Sequence, residues 1–157
     1  MRKEFVKFLL KELETNKNII LLTGDLGYRL FDEIRDKFPN NFYNVGASEQ
    51  AGMGICIGLA LEGKIPIFYS ISPFAVYRPF ETIHIYLHNE QIPVKIVGGG
   101  RDKDYEIDGF THDASDIKNF MKSLNIINYY PNFEDNLEGI FKKFLYNGKP
   151  SYLNLRK

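Results

Sequence analysis

The sequence predicts a single α/β domain built on one doubly wound, mostly parallel sheet of six strands with helices on both faces. Three observations support this class. Short apolar runs alternate with segments of helical period, the apolar runs carry few polar interruptions, and 157 residues is the usual size of one domain. Strands that alternate with helices imply right-handed crossovers and hence parallel pairing.

The strand predictions rest on apolar runs of strand length that are separated by turn-forming residues. In chain order the runs are Asn18–Thr23, Asn41–Val45, Ile65–Tyr69, Pro93–Val97, Asn125–Tyr130 and Ser151–Leu155. Nearly continuous apolar character is typical of strands that helices cover on both sides. The only long connection, Gly98–Thr111, is polar and rich in glycine, and it follows the fourth strand, where such sheets place ligands.

The helix predictions rest on apolar spacing and on end signals. In the first helix, Lys3–Glu14, four apolar side chains fall on one face (Phe5, Phe8, Leu9 and Leu13). The third opens with a serine suited to capping and closes before a glycine, a favoured stop. The helices predicted after the first are Gly27–Lys37, Ser48–Glu62, Phe74–Asn89, His112–Leu124 and Phe133–Tyr146.

Composition excludes several classes of protein. Hydrophobic residues make up 44% and charged residues 25%, which excludes a disordered chain. The 20 basic and 20 acidic residues cancel, which argues against a nucleic-acid partner. No run reaches the roughly 18 apolar residues of a membrane helix, so we expect no membrane partner. The lone cysteine, Cys56, cannot form an internal disulfide and fits a cytoplasmic location.

The most specific segment surrounds Glu49. Here a strand ends, the chain turns at Gly46, and a glutamate enters the first turn of a helix rich in glycine and alanine. The helix dipole stabilises an anion at this position. On this pattern alone, a capping glutamate on a tightly packed core helix is the stronger interpretation, because acids in first turns are common.

Several segments taken together favour a functional interpretation of Glu49 instead. They are Thr23–Leu26, Phe38–Gln50, Gly58–Pro66, Phe74–Glu81, Asn89–Val94 and Asp108–His112. In residues, order and spacing the chain resembles the pyrimidine-binding domain of transketolases and of the similar 1-deoxyxylulose-5-phosphate synthases. Both are enzymes that depend on thiamine diphosphate, and the resemblance covers nearly the whole chain.

The resemblance implies roles for five residues around the cofactor. Glu49 matches the activating glutamate, which hydrogen-bonds ring nitrogen N1′ of the aminopyrimidine and so promotes loss of the thiazolium C2 proton. Phe74 and Tyr77 match aromatic residues that pack on the pyrimidine ring. Ile71 stands where transketolases often have another aromatic residue, and Asp25 matches an acid that lines the site. From spacing alone, Phe74 and Tyr77 read as ordinary core residues.

The resemblance also implies a substrate site. Asp108 and His112 match the acid and the histidine that contact the hydroxyl groups of the sugar, and we predict a catalytic role for His112. Arg156 matches an arginine that binds a sugar phosphate, a task that suits its guanidinium group. Two departures point to altered donor or acceptor sugars: Phe110 replaces a proline, and Gly98–Arg101 occupies the region of a further histidine.

The resemblance further implies a split enzyme. We expect residues 1–157 to form one pyrimidine-binding domain, with the diphosphate-binding and carboxyl-terminal domains absent from this chain and the diphosphate bound by another subunit. Gly24-Asp25-Leu26 lacks the third glycine of the diphosphate-domain metal motif, so we expect a partner subunit to hold most of the Mg²⁺. The complete enzyme is then a heterotetramer or larger, acting on a sugar or sugar phosphate. The chain itself should expose an apolar surface for that partner.

Other interpretations stay open at this point. A split 2-oxo-acid decarboxylase of the same cofactor class is the nearest alternative to ketol transfer, and a non-catalytic module that retains the fold is another. His84 and His88 share a helical face with Glu81, but no further ligand completes a metal site, so none is predicted. Gly98-Gly99-Gly100 lacks the residues of a phosphate-binding fingerprint.

Overall fold

A computed structural model describes all residues, 1–157, and contains one six-stranded sheet. The strands are β1 (Ile19–Thr23), β2 (Phe42–Asn44), β3 (Ile65–Ile71), β4 (Lys95–Gly99), β5 (Ile127–Tyr129) and β6 (Ser151–Leu155). Their order across the sheet is β2-β1-β3-β4-β6-β5, and every neighbouring pair is parallel. The predicted fold class is therefore confirmed, and the sheet is wholly rather than mostly parallel.

Seven α-helices connect the strands. They are α1 (Arg2–Thr15), α2 (Asp32–Lys37), α3 (Glu49–Leu61), α4 (Ser72–Tyr77), α5 (Phe80–Thr82), α6 (Ile117–Lys122) and α7 (Leu137–Tyr146). A π-helical segment, Ile83–Asn89, follows α5, and short 3₁₀ turns lie at Pro39–Asn41, Glu106–Asp108 and Phe110–His112. None of these helices combines the length and the apolar character that crossing a bilayer requires.

The core has two layers because alternate strand residues point to opposite faces of the sheet. Ile20 and Leu22 of β1 belong to the cluster that includes side chains of α3, α4 and α6, whereas Ile19 and Leu21 belong to the cluster under α1, α2 and α7. All residues of β1, β4 and β6 are buried. Coverage on both sides explains why the strands read as continuous apolar runs.

The predicted helix Phe74–Asn89 is divided in the structure. It forms α4, α5 and the π-helical segment, and Pro79 stands at the first break. Proline has no N–H group to donate to the preceding turn, so the helix cannot continue through it with regular bonding. The segment is wholly helical in character, but its side chains do not follow one regular α-helical face.

Three other helices begin later than predicted. Those predicted from Gly27, His112 and Phe133 start at Asp32, Ile117 and Leu137. For the last of these, the Asn136 side chain accepts a hydrogen bond from the Gly139 amide at 3.0 Å, a capping interaction that fixes the start. Residues upstream of each start are turns held by local bonds.

The fourth strand is displaced by two residues from its prediction, Pro93–Val97. Gly98 and Gly99 pair with Ser70 and Ile71 of β3, so they belong to the sheet rather than to the loop. A Cβ atom at Gly98 would lie 2.4 Å from the Tyr152 hydroxyl oxygen. The absence of side chains at Gly98 and Gly99 therefore leaves room for neighbouring side chains to pack against β4. Because consecutive glycines are also typical of loops, the sequence pattern ended this strand too early.

Lys95 gives the fold a measurable pH dependence. It is 2% exposed, and its Nζ donates to Asn147 Oδ1 at 2.5 Å and to the Lys149 carbonyl at 2.6 Å. Burial lowers the pKa of Lys95 to about 8. The unfolded chain, in which the lysine pKa is about 10.4, then binds more protons between these values, so stability rises with pH in that window.

We predict that the free energy of unfolding of the wild-type chain, relative to Lys95→Met, increases by roughly 1–2 kcal/mol between about pH 7.5 and 9.5. Urea denaturation at several pH values measures this difference. The methionine variant is the control because it fills similar space without a titrating group. Parallel stability curves for the two proteins would contradict the prediction.

Candidate functional site

The candidate site lies where the sheet reverses its winding direction. From β1 the chain builds β2 on one side and β3 on the other, and the carboxyl ends of β1 and β3 open a crevice between them. Gly24 and Asp25 follow β1, Ser70 and Ile71 end β3, and Glu49 opens α3. Three segments that are distant in sequence thus meet at one edge.

Glu49 is a buried charge with three hydrogen bonds. Only 2% of the residue is exposed, although it is the first residue of its helix. Arg78 Nη1 donates to both carboxylate oxygens at 2.8 Å, and Ser70 Oγ donates to Oε1 at 3.3 Å. A buried carboxylate is costly unless it is paired and hydrogen-bonded, so these contacts, together with the helix dipole, are what make its burial possible.

Phe74 and His112 extend the cluster. The guanidinium carbon of Arg78 lies 3.8 Å from the Phe74 ring centroid, and the His112 ring stands edge-on to Phe74 with centroids 4.9 Å apart. Arginine over an aromatic face is a favourable cation–π arrangement. Glu49, Arg78, Phe74 and His112 therefore form one continuous series of contacts. The structure brings together three of the residues predicted from sequence.

Tyr77 lies outside this series. Its ring packs edge-on to Phe120, with centroids 5.6 Å apart, and 40% of the residue is exposed. Burial of the hydroxyl group and the adjacent Asp116 carboxylate raise the pKa of Tyr77. The side chain lines a cavity of about 380 Å³ that Phe110, Asp113, Ser115 and Asp116 complete. Tyr77 thus lies at the rim of the site, beside α6 and the long loop.

The long loop from Gly100 to Asp116 holds Asp108 and His112. Asp108 ends one 3₁₀ turn and is exposed, and His112 ends the next and is half-buried, with Nδ1 3.0 Å from Thr111 Oγ1. Gly109 between the two turns has φ of +90°, a conformation that favours glycine. Phe110 is 92% exposed. Residues 101–116 contain six acidic and two basic side chains, so this rim is strongly acidic.

The base of that loop is fixed by Arg101. Its side chain is buried, where Nε donates to Asn154 Oδ1 at 3.0 Å and Nη2 donates to the carbonyls of Asn154 and Pro131. An isolated bridge between Asp102 and Ala114 closes the loop above it. Asn154 also donates to Ser72 Oγ at 2.8 Å. These contacts join the loop to β6 and to the start of α4.

The remaining predicted residues lie further out. Asp25 is exposed and accepts a hydrogen bond from the Tyr28 hydroxyl at 2.8 Å, and Ile71 is half-buried at the end of β3. Arg156 forms ion pairs with Asp102 at 3.3 Å and with Asp104 at 3.9 Å. The guanidinium predicted to bind phosphate is therefore already held by two carboxylates.

The histidine pair considered as metal ligands is used differently. The rings of His84 and His88 stack with centroids 5.0 Å apart, and His88 Nδ1 accepts a hydrogen bond from the Asn125 amide at 2.7 Å. No group of three or more His, Cys, Asp or Glu residues is arranged to hold a metal ion. The pair contributes to the packing of the π-helical segment against the chain before β5.

Sequence reasoning assigned no role to Arg78 or Ser70. Arg78 follows Phe74 by four residues, the spacing at which helical side chains are neighbours, so the sequence could have indicated a contact between these two side chains. Its contact with Glu49, 29 residues away, depends on how the residues after α4 are placed beside the start of α3. Ser70 reaches Glu49 because β3 packs against α3. A serine at the end of an apolar strand gives no indication in the sequence of a contact with Glu49.

Comparison with known proteins identifies relatives of this chain. The family described as "Transketolase, pyrimidine binding domain" matches residues 1–157. A 6-deoxy-6-sulfo-D-fructose transketolase subunit of Clostridium sp. (strain MSTE9) is 26% identical over 157 residues, which cover 99% of this chain and 49% of the relative. A subunit of the apulose-4-phosphate transketolase of Phocaeicola vulgatus is 32% identical over 114 residues, 72% of this chain and 36% of the relative.

A solved structure agrees with these matches. It is described as a split-gene transketolase in the form of an inactive β4 tetramer, and it superposes with a TM-score of 0.85 at 28% sequence identity. The match covers 99% of this chain and 50% of that one. The chain thus spans half or less of the length of these relatives.

Proposed function

The chain belongs to the family of transketolase pyrimidine-binding domains, and from this premise we propose that it supplies one half of a thiamine-diphosphate site. The complete enzyme transfers a two-carbon ketol unit between sugars. One observation carries the proposal: a buried carboxylate, Glu49, lies within a continuous series of contacts that includes an aromatic face, Phe74. These are the two groups that an aminopyrimidine ring requires from this domain.

The residues at the site fit such a ring. A Cβ atom on Gly24 would lie 3.3 Å from Glu49 Oε1 and 3.3 Å from Ser70 Oγ, so a glycine keeps the approach to the carboxylate open. Phe74 offers a flat apolar surface, and Ile71 offers an aliphatic one. A buried acid beside apolar walls suits a planar heteroaromatic group with one basic ring nitrogen. The donor set and its shape therefore support the assignment.

The bound cofactor would supply the carbon–carbon bond chemistry, and this chain would supply contacts to its ring. Glu49 would hydrogen-bond the ring nitrogen, and the low polarity around the carboxyl group would strengthen that contact. Phe74 and Ile71 orient the ring, Tyr77 borders it at the rim, and Asp25 lines the approach from β1. We propose that Mg²⁺ is held mainly by the partner, because Leu26 replaces the glycine of the metal motif.

The substrate is proposed to lie over the cofactor beside the long loop. His112 contacts Phe74 and so reaches both cofactor and substrate, where it can hydrogen-bond a hydroxyl group of the sugar. Asp108 approaches from the exposed turn before it. The acidic excess of residues 101–116 favours recognition of hydroxyl groups over phosphate. For Arg156 to bind a phosphate, that group must displace Asp102 and Asp104.

The proposed assembly contains a separate diphosphate-binding subunit, as a heterotetramer or larger complex. Two relatives are themselves described as transketolase subunits, and one solved relative as a tetramer. Large apolar side chains are exposed on this chain, among them Ile55 and Leu61 on α3, and they suit a partner surface. We propose a cytoplasmic location, where the buried thiol of Cys56 stays reduced; burial raises its pKa.

We predict that the chain alone binds thiamine diphosphate weakly, because it supplies contacts to one end of the cofactor only. Calorimetry with Mg²⁺ should show tight binding after a partner subunit with an intact Gly-Asp-Gly…Asn motif is added. That subunit alone is the control. Tight binding to this chain without a partner would contradict the split site.

We predict that Glu49→Gln in the assembled complex removes most activity and leaves subunit association intact, because the substitution retains shape but removes the ionisable proton site. Hydrogen–deuterium exchange at C2 of the bound cofactor should slow markedly. Glu33→Gln, on the exposed face of α2, is the matched control and should leave exchange unchanged. An unaltered exchange rate in Glu49→Gln would refute the assigned role.

We predict that Asp108→Ala or His112→Ala lowers kcat/KM for a ketose donor by roughly one to two decades while cofactor affinity changes little, since an unpaired hydroxyl contact costs about 1–3 kcal/mol. Asp36→Ala, at an exposed position of α2, is the control. Wild-type rates in both variants, or a preference of the complex for a simple 2-oxo acid, would replace ketol transfer with the decarboxylase alternative.

A further inference from the structure

Arg78 uses both of the groups that the proposed cofactor ring requires. Its Nη1 atom bridges the two carboxylate oxygens of Glu49, each at 2.8 Å. Its guanidinium carbon lies 3.8 Å from the Phe74 ring centroid. A single planar group therefore takes a hydrogen-bonded position on the carboxylate and a position against the aromatic ring.

The guanidinium group also has the character of the group it would compete with. Both are flat, and both pack on the face of an aromatic ring. The guanidinium donates N–H groups to the carboxylate, whereas the ring shares one hydrogen bond with the carboxyl group through its basic nitrogen. Three hydrogen bonds already engage the two Glu49 oxygens, and the Arg78 guanidinium lies over the Phe74 ring on which a cofactor ring would pack. A ring that takes both positions therefore requires Arg78 to move.

We infer that Arg78 is a built-in competitor of the aminopyrimidine ring, which holds Glu49 and Phe74 in place and leaves when the ring binds. This inference rests on the proposed function and adds to it a positioning residue with a defined movement. The movement is sterically accessible, since 45% of the Arg78 side chain is exposed, whereas 3% of the Glu49 side chain is. The carboxylate stays fixed and the arginine is the mobile partner.

The surroundings of Arg78 support an outward movement. Pro79 interrupts the helix just after Arg78, and Phe80 and Glu81 beyond it are exposed. No other carboxylate forms an ion pair with Arg78. The released guanidinium thus enters solvent, where its charge is hydrated at little cost. An arginine with a second buried partner would be held too firmly for this role.

The test measures binding of thiamine, which carries the aminopyrimidine without the diphosphate, to the full chain by NMR titration. We expect Arg78→Ala to bind thiamine about fivefold more tightly than wild type, because a partly exposed ion pair worth up to about 1 kcal/mol no longer competes. Arg78→Lys retains the charge without the planar group, and we expect an intermediate affinity. Arg35→Ala, an arginine paired on exposed α2, is the control and should bind as wild type does.

The outcomes separate the two proposals. Equal or weaker binding by Arg78→Ala, with wild type still binding and Glu49→Gln binding less, would overturn the competitor role and leave the proposed function intact. If the role of Arg78 were purely structural, Arg78→Ala would also bind thiamine equally or more weakly, because loss of a structural contact gives no reason for tighter binding. Absence of binding to all variants at millimolar thiamine would overturn the competitor role, whereas the proposed function is decided separately, by cofactor binding to the complex with the partner subunit. Should Arg78→Ala fail to fold, Arg78→Lys decides by the same comparison.

Discussion

A buried carboxylate that must keep hydrogen-bonding partners is the constraint around which this domain is arranged. Glu49 is enclosed at the start of α3, where water cannot solvate it, so the protein itself must provide donors. Arg78, just after α4, and Ser70 of β3 provide them. The positions of three elements relative to one another thus follow from one charge. An apolar residue at this position would relax all three requirements and would remove the carboxyl group on which the proposed cofactor contact depends.

The sheet meets this requirement because its winding reverses between β1 and β3. The reversal leaves a gap at the carboxyl edge, and the chain returns to that gap with the short helices of residues 72–82. Close approach there depends on small residues. Gly24 faces the carboxylate, and Gly98 admits the Tyr152 hydroxyl beneath the start of α4. Packing inside the sheet therefore determines the geometry of groups at its edge.

The fold could be predicted from the sequence because apolar runs and helical spacing are local properties, and β6, Ser151–Leu155, matches its prediction at both ends. Helix starts depended on turns and side-chain caps, such as Asn136, which apolar spacing does not encode. At the site, Glu49 and Phe74 were identified by resemblance to a family. Arg78 was not, because its role arises from a contact across 29 residues that only the folded chain creates.

The Arg101 anchor separates two kinds of evolutionary constraint. Its buried bonds to Asn154 and Pro131 fix where the long loop leaves the sheet, and the Asp102–Ala114 bridge closes it. Several side chains between these points are exposed, among them Asp108 and, at 92%, Phe110. Exposed loop positions tolerate substitution better than the elements that hold the loop. The residues proposed to face substrate can therefore vary while the anchor that positions them is kept.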